Sequence, residues 1–94
     1  MEIKPPKDEY LIQEYKKNKD NFYLDKLITR YQPLIKSMLT IYKIPKQDYD
    51  DSYQELMVIF IKLVKQYKEG EVDFRGYVKN KLKKRYYHYI RKHY

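Results

Sequence analysis

Large apolar side chains recur every three or four residues through three successive stretches of the sequence, and this spacing is the strongest constraint on the fold. Such a period places the side chains on one face of an α-helix, whereas a half-buried strand would alternate every second residue. The stripes are Leu24, Leu27, Ile28, Tyr31, Ile35, Met38, Leu39 and Tyr42; then Tyr53, Leu56, Phe60, Leu63, Val64 and Tyr67; then Phe74, Val78, Leu82, Tyr86 and Tyr89. The pattern predicts an all-α fold with a shared core.

The boundaries of the helices follow from residues that interrupt these stripes. A short first helix is predicted from about Asp8 to Lys17, within a lead-in segment of residues 1–21 that ends in a polar tetrapeptide. The main helices are predicted over residues 22–43, 48–67 and 74–92. We therefore expect a compact bundle of about four helices that forms a single domain over residues 1–94.

Two places inside the predicted helices leave alternatives. Pro33 has no N–H to donate to the carbonyl of Thr29, so it should kink or divide the second helix. Leu56 to Ile61 is apolar at every position and could be a buried strand, but the aspartates that precede it and the stripe that continues to Tyr67 favour a helix. At the start of the second helix, either Asp20 or Asn21 can serve as the N-cap.

Composition excludes several classes of protein. The chain has no cysteine, which rules out a disulfide scaffold and a cysteine-based zinc site and makes a reducing cytoplasm the natural location. Its longest apolar run, Leu56 to Ile61, is far shorter than the roughly 20 residues that a membrane-spanning helix needs. The apolar content of 43% is sufficient for a folded core.

Positive charge is concentrated at one end of the chain. The sequence has 21 basic and 13 acidic residues, for a net charge of +8. Residues 75–94 contain eight of the basic side chains and no acid, so residues 1–74 are neutral overall. A separation of this kind indicates a polyanionic partner, either nucleic acid or an anionic membrane.

Aromatic residues are interleaved with these cations. The chain has 13 tyrosines and no tryptophan, and five of the tyrosines fall inside the basic segment: Tyr77, Tyr86, Tyr87, Tyr89 and Tyr94. Tyrosine among lysine and arginine suits base stacking combined with phosphate contact, as in proteins that bind single strands. The alternative is that tyrosine simply serves as the large core residue in a tyrosine-rich chain.

Helical geometry separates the last helix into two faces. At about 100° per residue, the stripe from Phe74 to Tyr89 should face the core. The opposite face carries Asn80, Lys83, Lys84, Tyr87 and Arg91. The third helix begins with Asp48, Asp50 and Asp51, so we expect an acidic and a basic surface at opposite ends of the bundle.

No constellation in the sequence indicates catalysis. His88 and His93 are five residues apart, which is not the i, i+4 spacing that brings two imidazoles to one metal ion. The acidic group at Asp48 to Asp51, with Glu55, could hold a divalent cation in a nuclease, but helix capping explains it more simply. We therefore expect a protein that is not an enzyme and that needs no metal or cofactor.

Four short segments together resemble the second conserved region of bacterial sigma factors. The segment Asp50 to Glu55 is similar to the Glu-Asp-Leu-x-Gln-Glu motif of that region. The segment Phe74 to Tyr77 is similar to the Phe-x-x-aromatic element of the same region. Tyr89 to Lys92 resembles the Tyr-Leu-Arg-Arg end of the promoter-recognition helix. Upstream, Leu27 to Ile35 resembles the opening helix with its internal proline, and residues 18–22 resemble the lead-in of small alternative sigma factors.

The resemblance implies two sets of binding residues in a non-catalytic subunit that starts transcription. Asp51, Gln54 and Glu55 match positions that contact the clamp coiled coil of the RNA polymerase β′ subunit, with Met57 and Ile61 as lesser matches. The alternative for Gln54 and Glu55 is an ordinary solvated helical turn. The polymerase core and promoter DNA would then be the partners.

The second set lies on the last helix. Tyr77 matches the aromatic residue that stacks on a flipped base of the non-template strand at the −10 promoter element, and its alternative is a half-buried core tyrosine. The resemblance places Asn80, Lys84 and Tyr87 beside the upstream edge of that element. Lys83 and Arg91 would meet phosphates, and Phe74 would pack beneath the preceding loop.

The sequence departs from the family pattern at three points. Ser52 stands where leucine is usual, which should weaken local packing. Asn80 and Lys81 stand where principal sigma factors carry a tryptophan pair that wedges the duplex open. Small alternative sigma factors often lack that pair too, so in this respect the chain resembles them. The fourth conserved region does not follow, so we expect a second protein to supply it or the chain to be a fragment.

Two other functions remain open from the sequence. A stand-alone helical DNA-binding regulator of a mobile element could use the last helix in the major groove without docking to polymerase. The second function is membrane binding, with the last helix lying on the membrane surface as a basic amphipathic helix. Because the exposed side of that helix lacks a broad apolar face, we expect no membrane partner.

Overall fold

Four α-helices make up the fold. The computed structural model describes residues 6–70 and 72–93, and no strand occurs in these two ranges. The elements are α1 (Asp8–Asn18), α2 (Asn21–Ile41), a short 3-10 helix (Lys46–Asp48), α3 (Tyr49–Gln66) and α4 (Phe74–His93). The prediction of an all-α bundle of about four helices is confirmed, and α3 contains Leu56 to Ile61, so the strand alternative for that run is wrong.

Local backbone chemistry sets the junction between α1 and α2. Lys19 adopts a left-handed conformation with φ of 52°, which ends α1. Asp20 is the N-cap of α2, and its Oδ1 accepts a hydrogen bond of 3.0 Å from the backbone N–H of Phe22. Of the two capping candidates in the sequence, the structure uses Asp20.

The second helix continues through its proline. Of the two expectations for Pro33, division of the helix is wrong, because α2 runs without a break from Asn21 to Ile41. It ends two residues earlier than predicted because Lys43 has a φ of 53°, a left-handed conformation that a helix cannot continue through. The third helix likewise begins one residue late, since the 3-10 helix takes up Lys46–Asp48.

An aromatic cluster lies at the centre of the core. Phe74 contacts Tyr67 at 5.2 Å and Tyr31 at 5.6 Å between ring centroids, both in edge-to-face geometry, and Phe60 lies 6.2 Å away. All four side chains are buried. Each such ring pair adds roughly 0.5–1.5 kcal/mol beyond the burial of its area. The cluster therefore joins α2, α3 and the first residue of α4, and it fixes where α4 begins.

The first helix covers one side of this core. Leu11 and Ile12 are buried, and α1 packs mainly along α2. Asp8 forms an ion pair of 2.9 Å with Arg30 and accepts a hydrogen bond from the hydroxyl of Tyr31. Burial and this hydrogen bond to Asp8 raise the pKa of Tyr31. Because the phenol is protonated at neutral pH, it can act as the donor in this contact.

Candidate nucleic-acid and protein interfaces

The outward face of α4 presents the residues that the sequence assigned to it. Asn80, Lys83, Lys84, Tyr87 and Arg91 are all exposed, whereas Phe74, Val78, Leu82 and Tyr86 on the other side are buried. Tyr89 is half-buried at the edge of the core. The structure thus brings these five side chains together on one face of a single helix.

Tyr87 is the aromatic residue within this face. Its side chain is 48% exposed, which is high for so large an apolar group. The guanidinium of Arg91, one turn further along, lies 5.9 Å from the centre of the Tyr87 ring. The exposed ring lies outside the core, where a planar partner can stack on it.

Tyr77 has a different environment from the other five candidates. It is half-buried, and its ring contacts Tyr67 at 5.2 Å and Phe74 at 6.2 Å. It therefore extends the aromatic cluster of the core towards the surface. The sequence left two interpretations of Tyr77 open, a base-stacking residue and a half-buried core residue. The ring packs on the core and is also partly accessible, so its position is compatible with both.

The N-terminus of α4 is occupied by carboxylates. Asp73 Oδ1 accepts a hydrogen bond of 3.0 Å from the backbone N–H of Gly76, and Glu9 Oε2 accepts one of 2.9 Å from that of Phe74. Free N–H groups at a helix N-terminus would otherwise attract phosphate. Recognition of an anion by α4 consequently falls to its cationic side chains.

A second surface lies on α3. Asp51 and Gln54 are exposed, and Glu55 and Met57 are half-buried, so neither Gln54 nor Glu55 is enclosed in the protein. Val58 is 44% exposed and stands one turn after Gln54 and two turns after Asp51. Val58 was not among the residues predicted for this surface, although its i+4 and i+7 spacing from Gln54 and Asp51 places it on the same face of α3.

The acidic and basic surfaces are neighbours. Burial raises the pKa of Tyr89, and the negative charges of Glu55, Asp51 and Asp48 raise it further, which places the start of α3 beside the C-terminal half of α4. The expectation of opposite ends is therefore wrong. The helices α3 and α4 pack against each other, and the first residues of α3 lie near Tyr86 and Tyr89 in the C-terminal half of α4.

A cleft of about 430 Å³ opens on the other flank of α4. Arg30, Arg75 and Lys79 line it together with Tyr31 and Leu34. Arg75 and Lys79 are four residues apart, which puts them on one side of α4. The sequence contains no signal that groups Arg30 with Arg75 and Lys79, because they share this cleft only through the packing of α2 and α4 on α3.

The structure was also searched for metal and membrane sites. Within residues 6–70 and 72–93, no three or more histidine, aspartate or glutamate side chains come together in a way that could hold a metal ion. None of the helices in these ranges combines the length and the hydropathy that crossing a membrane requires.

Comparison with known proteins identifies the family. The family model for Sigma-70 region 2 matches residues 27–94, which is most of the chain and includes α3, α4 and α2 from Leu27 onward. Searches of curated proteins and of solved structures gave no match. The family match covers the segments that resembled sigma factors in the sequence, apart from the lead-in. This chain therefore belongs to the Sigma-70 region 2 family.

Proposed function

We propose that this chain is a sigma-factor-like subunit that docks on the β′ clamp of RNA polymerase and recognises and melts the −10 promoter element. Membership of the Sigma-70 region 2 family implies a role in transcription initiation, with the polymerase core and promoter DNA as partners. The finer assignment of surfaces rests on the geometry of α3 and α4. In this role the chain tethers and positions other molecules and needs no catalytic group.

The docking surface is formed by Asp51, Gln54, Glu55 and Met57, to which we add Val58. Two exposed polar side chains beside an exposed valine suit a helical partner, because the valine loses water on contact while the polar groups fix the register. The clamp coiled coil is such a partner.

The DNA surface comprises Tyr77, Asn80, Lys83, Lys84, Tyr87 and Arg91. Lys83, Lys84 and Arg91 neutralise phosphates and release counterions. A flipped base stacks on Tyr77, and Tyr87 offers a second ring, each worth roughly 1–3 kcal/mol. Arg75 and Lys79 continue the positive surface into the cleft beside Arg30. Since no tryptophan wedge is present, the polymerase must supply the rest of the channel that holds the open strands.

The observation that carries this proposal is the exposed, acid-free face of α4 beside the exposed polar turn of α3. The direct test is transcription in vitro with core polymerase, with and without a second protein that carries the fourth sigma region. We expect promoter-dependent transcripts only when this chain is added, and the second protein to be needed for full activity. No stimulation of core polymerase under either condition would reject the proposal.

Docking can be tested separately. Gln54→Ala combined with Glu55→Ala should abolish capture of a β′ clamp fragment. Asp25→Ala combined with Gln47→Ala is the matched control, because it also removes one carboxylate and one carboxamide, from exposed positions on α2 and the 3-10 helix. Equal capture by both double variants would contradict the docking surface.

The alternative function is a stand-alone DNA-binding regulator that acts without polymerase. The exposed basic face of α4 also favours this function, since a helix of this kind can enter a major groove. Tight, sequence-specific binding to intact duplex DNA in the absence of polymerase would support it over the first proposal.

A further inference from the structure

Side chains of α1 hold both ends of the segment that joins α3 to α4. Lys16 Nζ donates a hydrogen bond to the backbone carbonyl of Tyr67, the residue that ends α3. At the other end of the segment, Glu9 Oε2 accepts the 2.9 Å hydrogen bond from the backbone N–H of Phe74, the first residue of α4. Between them, Gln13 Nε2 donates to the carboxylate of Glu69. Three successive turns of α1 therefore contact this segment.

The contact made by Glu9 is the one with the largest consequence. Phe74 is the first residue of α4, so its N–H has no partner within the helix. Asp73 satisfies the N–H of Gly76 from within the segment, but the N–H of Phe74 is satisfied by a residue 65 positions away in sequence. A carboxylate at this end of a helix is also stabilised by the helix dipole. Through this hydrogen bond, Glu9 holds the first residue of α4 in place relative to α1.

The two residues that α1 holds are the same two that support Tyr77. Lys16 binds the carbonyl of Tyr67 and Glu9 binds the N–H of Phe74, while the rings of Tyr67 and Phe74 both contact the ring of Tyr77. Movement of either backbone group would displace the support of that ring. Two successive contacts therefore connect α1 to the ring of Tyr77: a hydrogen bond from α1 to the backbone of Tyr67 or Phe74, and a ring contact from that residue to Tyr77.

We propose that α1 is a positioning element for the base-stacking surface, and that Glu9 is its positioning residue. This inference rests on the proposed role of Tyr77 in binding single-stranded DNA. It goes beyond the family match, which begins at residue 27 and leaves out the whole of α1. Glu9 touches no nucleic acid in this proposal; it acts through the backbone of Phe74.

The sign of the effect separates positioning from simple electrostatics. Removing an acidic side chain from a protein that binds DNA through cations should strengthen binding slightly. Positioning predicts the opposite for Glu9→Ala, because the cap is lost. Glu9→Gln removes the same charge but keeps an oxygen that can accept from the N–H of Phe74, so it should bind at least as tightly as the native protein. Glu14→Ala is the matched control, since Glu14 lies on α1 and accepts a hydrogen bond from Asn18, four residues further along the same helix.

The experiment uses the full chain and a single-stranded oligothymidylate at low, fixed salt. We expect Tyr77→Ala to weaken binding by about fivefold or more. Glu9→Ala should weaken binding by a comparable factor, and Glu9→Gln and Glu14→Ala should not. In a Tyr77→Ala background, Glu9→Ala should weaken binding no further, because the ring that it positions is absent. Hydrogen exchange of the Phe74 backbone amide should be faster in Glu9→Ala than in the native protein. In Glu14→Ala it should be as slow as in the native protein.

Two outcomes are distinguishable. If Tyr77→Ala binds as the native chain does, the assignment of Tyr77 in the proposed function fails. If Tyr77→Ala weakens binding while Glu9→Ala binds like Glu14→Ala, the positioning role of α1 is overturned and the DNA surface stands. Should Glu9→Ala unfold, Glu9→Asp provides the test, because its shorter carboxylate should accelerate exchange at Phe74 and weaken binding in a folded protein.

Discussion

The hydroxyl of Tyr86 on α4 lies near that of Ser52 on α3, and both are buried without a hydrogen bond of normal geometry among the described residues. Ser52 is the position where the sequence departs from the leucine that is usual in the family. The Tyr86 ring also contacts Tyr42 at 5.5 Å and Tyr89 at 5.9 Å. Ser52 and Tyr86 thus leave two buried hydroxyls without a hydrogen bond of normal geometry in the part of the chain that the structure describes.

Tyr86→Phe should stabilise the protein for this reason. A buried hydroxyl without a partner costs roughly 1–3 kcal/mol of desolvation, and the phenylalanine ring keeps the packing. We expect the free energy of unfolding to rise by about 1 kcal/mol, measured by urea denaturation. Tyr31→Phe is the matched control: it deletes the same atom, but that hydroxyl donates to Asp8, so stability should fall by about 1–2 kcal/mol. Changes of the same sign in the two variants would contradict this account.

The stability of the protein should also decline at alkaline pH. Burial raises the pKa of both Tyr31 and Tyr86 in the folded state, and for Tyr31 the hydrogen bond to Asp8 adds to the effect. A raised folded pKa means that folding favours the protonated phenol, so this stability is fully present below the ordinary tyrosine pKa of about 10 and is lost as the pH rises above it.

This pH dependence can be measured by urea denaturation between about pH 8 and pH 11. We expect a plateau at the lower end and a progressive loss of unfolding free energy above about pH 10. Tyr31→Phe should show a shallower decline, because one of the shifted groups has been removed. A Tyr31→Phe variant with the native slope would show that Tyr31 is not a source of the pH dependence.

Most of the fold could be predicted from the sequence because it depends on short-range patterns. The apolar stripe of α4 predicted its buried face from Phe74 to Tyr86, and the polar residues between predicted its exposed face. The relative placement of elements could not be predicted in the same way. Glu9 caps α4 across 65 positions of sequence. Arg30 lines the same cleft as Arg75 and Lys79 only because α2 and α4 both pack on α3. Neither relationship leaves a periodic signal in the sequence.

Two features of the helices were not evident from the sequence. Pro33 does not divide α2, and Tyr31 and Ile35 on either side of it are both buried in the core. Val58 was overlooked because it lies inside a continuous apolar run, where composition alone does not show which side chains point outward. Of the residues in that run, Leu56 and Phe60 are fully buried while Val58 is half open to solvent.

Binding of single-stranded DNA should depend on salt through the cations of α4. Each phosphate contact contributes about 0.7 to the slope of log affinity against log salt for a single strand. Replacing both Lys83 and Lys84 by glutamine should therefore reduce the slope by about 1.4 and weaken binding most at low salt. Lys16 is unsuitable as a control because it binds Tyr67, so the matched variant is Lys17→Gln, an exposed lysine on α1. An unchanged slope in the Lys83, Lys84 double variant would remove these residues from the DNA surface.

Val58 provides the sharpest test of the docking surface, because it is apolar, exposed and absent from the original set of candidates. Val58→Asp should reduce capture of a β′ clamp fragment at least tenfold, since docking would bury a carboxylate against an apolar contact. Folding should be little affected, because the side chain is already 44% exposed. Ile41→Asp is the matched control: Ile41 is 60% exposed at the end of α2, outside the docking surface, and its variant should be captured normally. Equal losses in the two variants would indicate a general effect of added negative charge, and normal capture of Val58→Asp would exclude this face of α3 from docking.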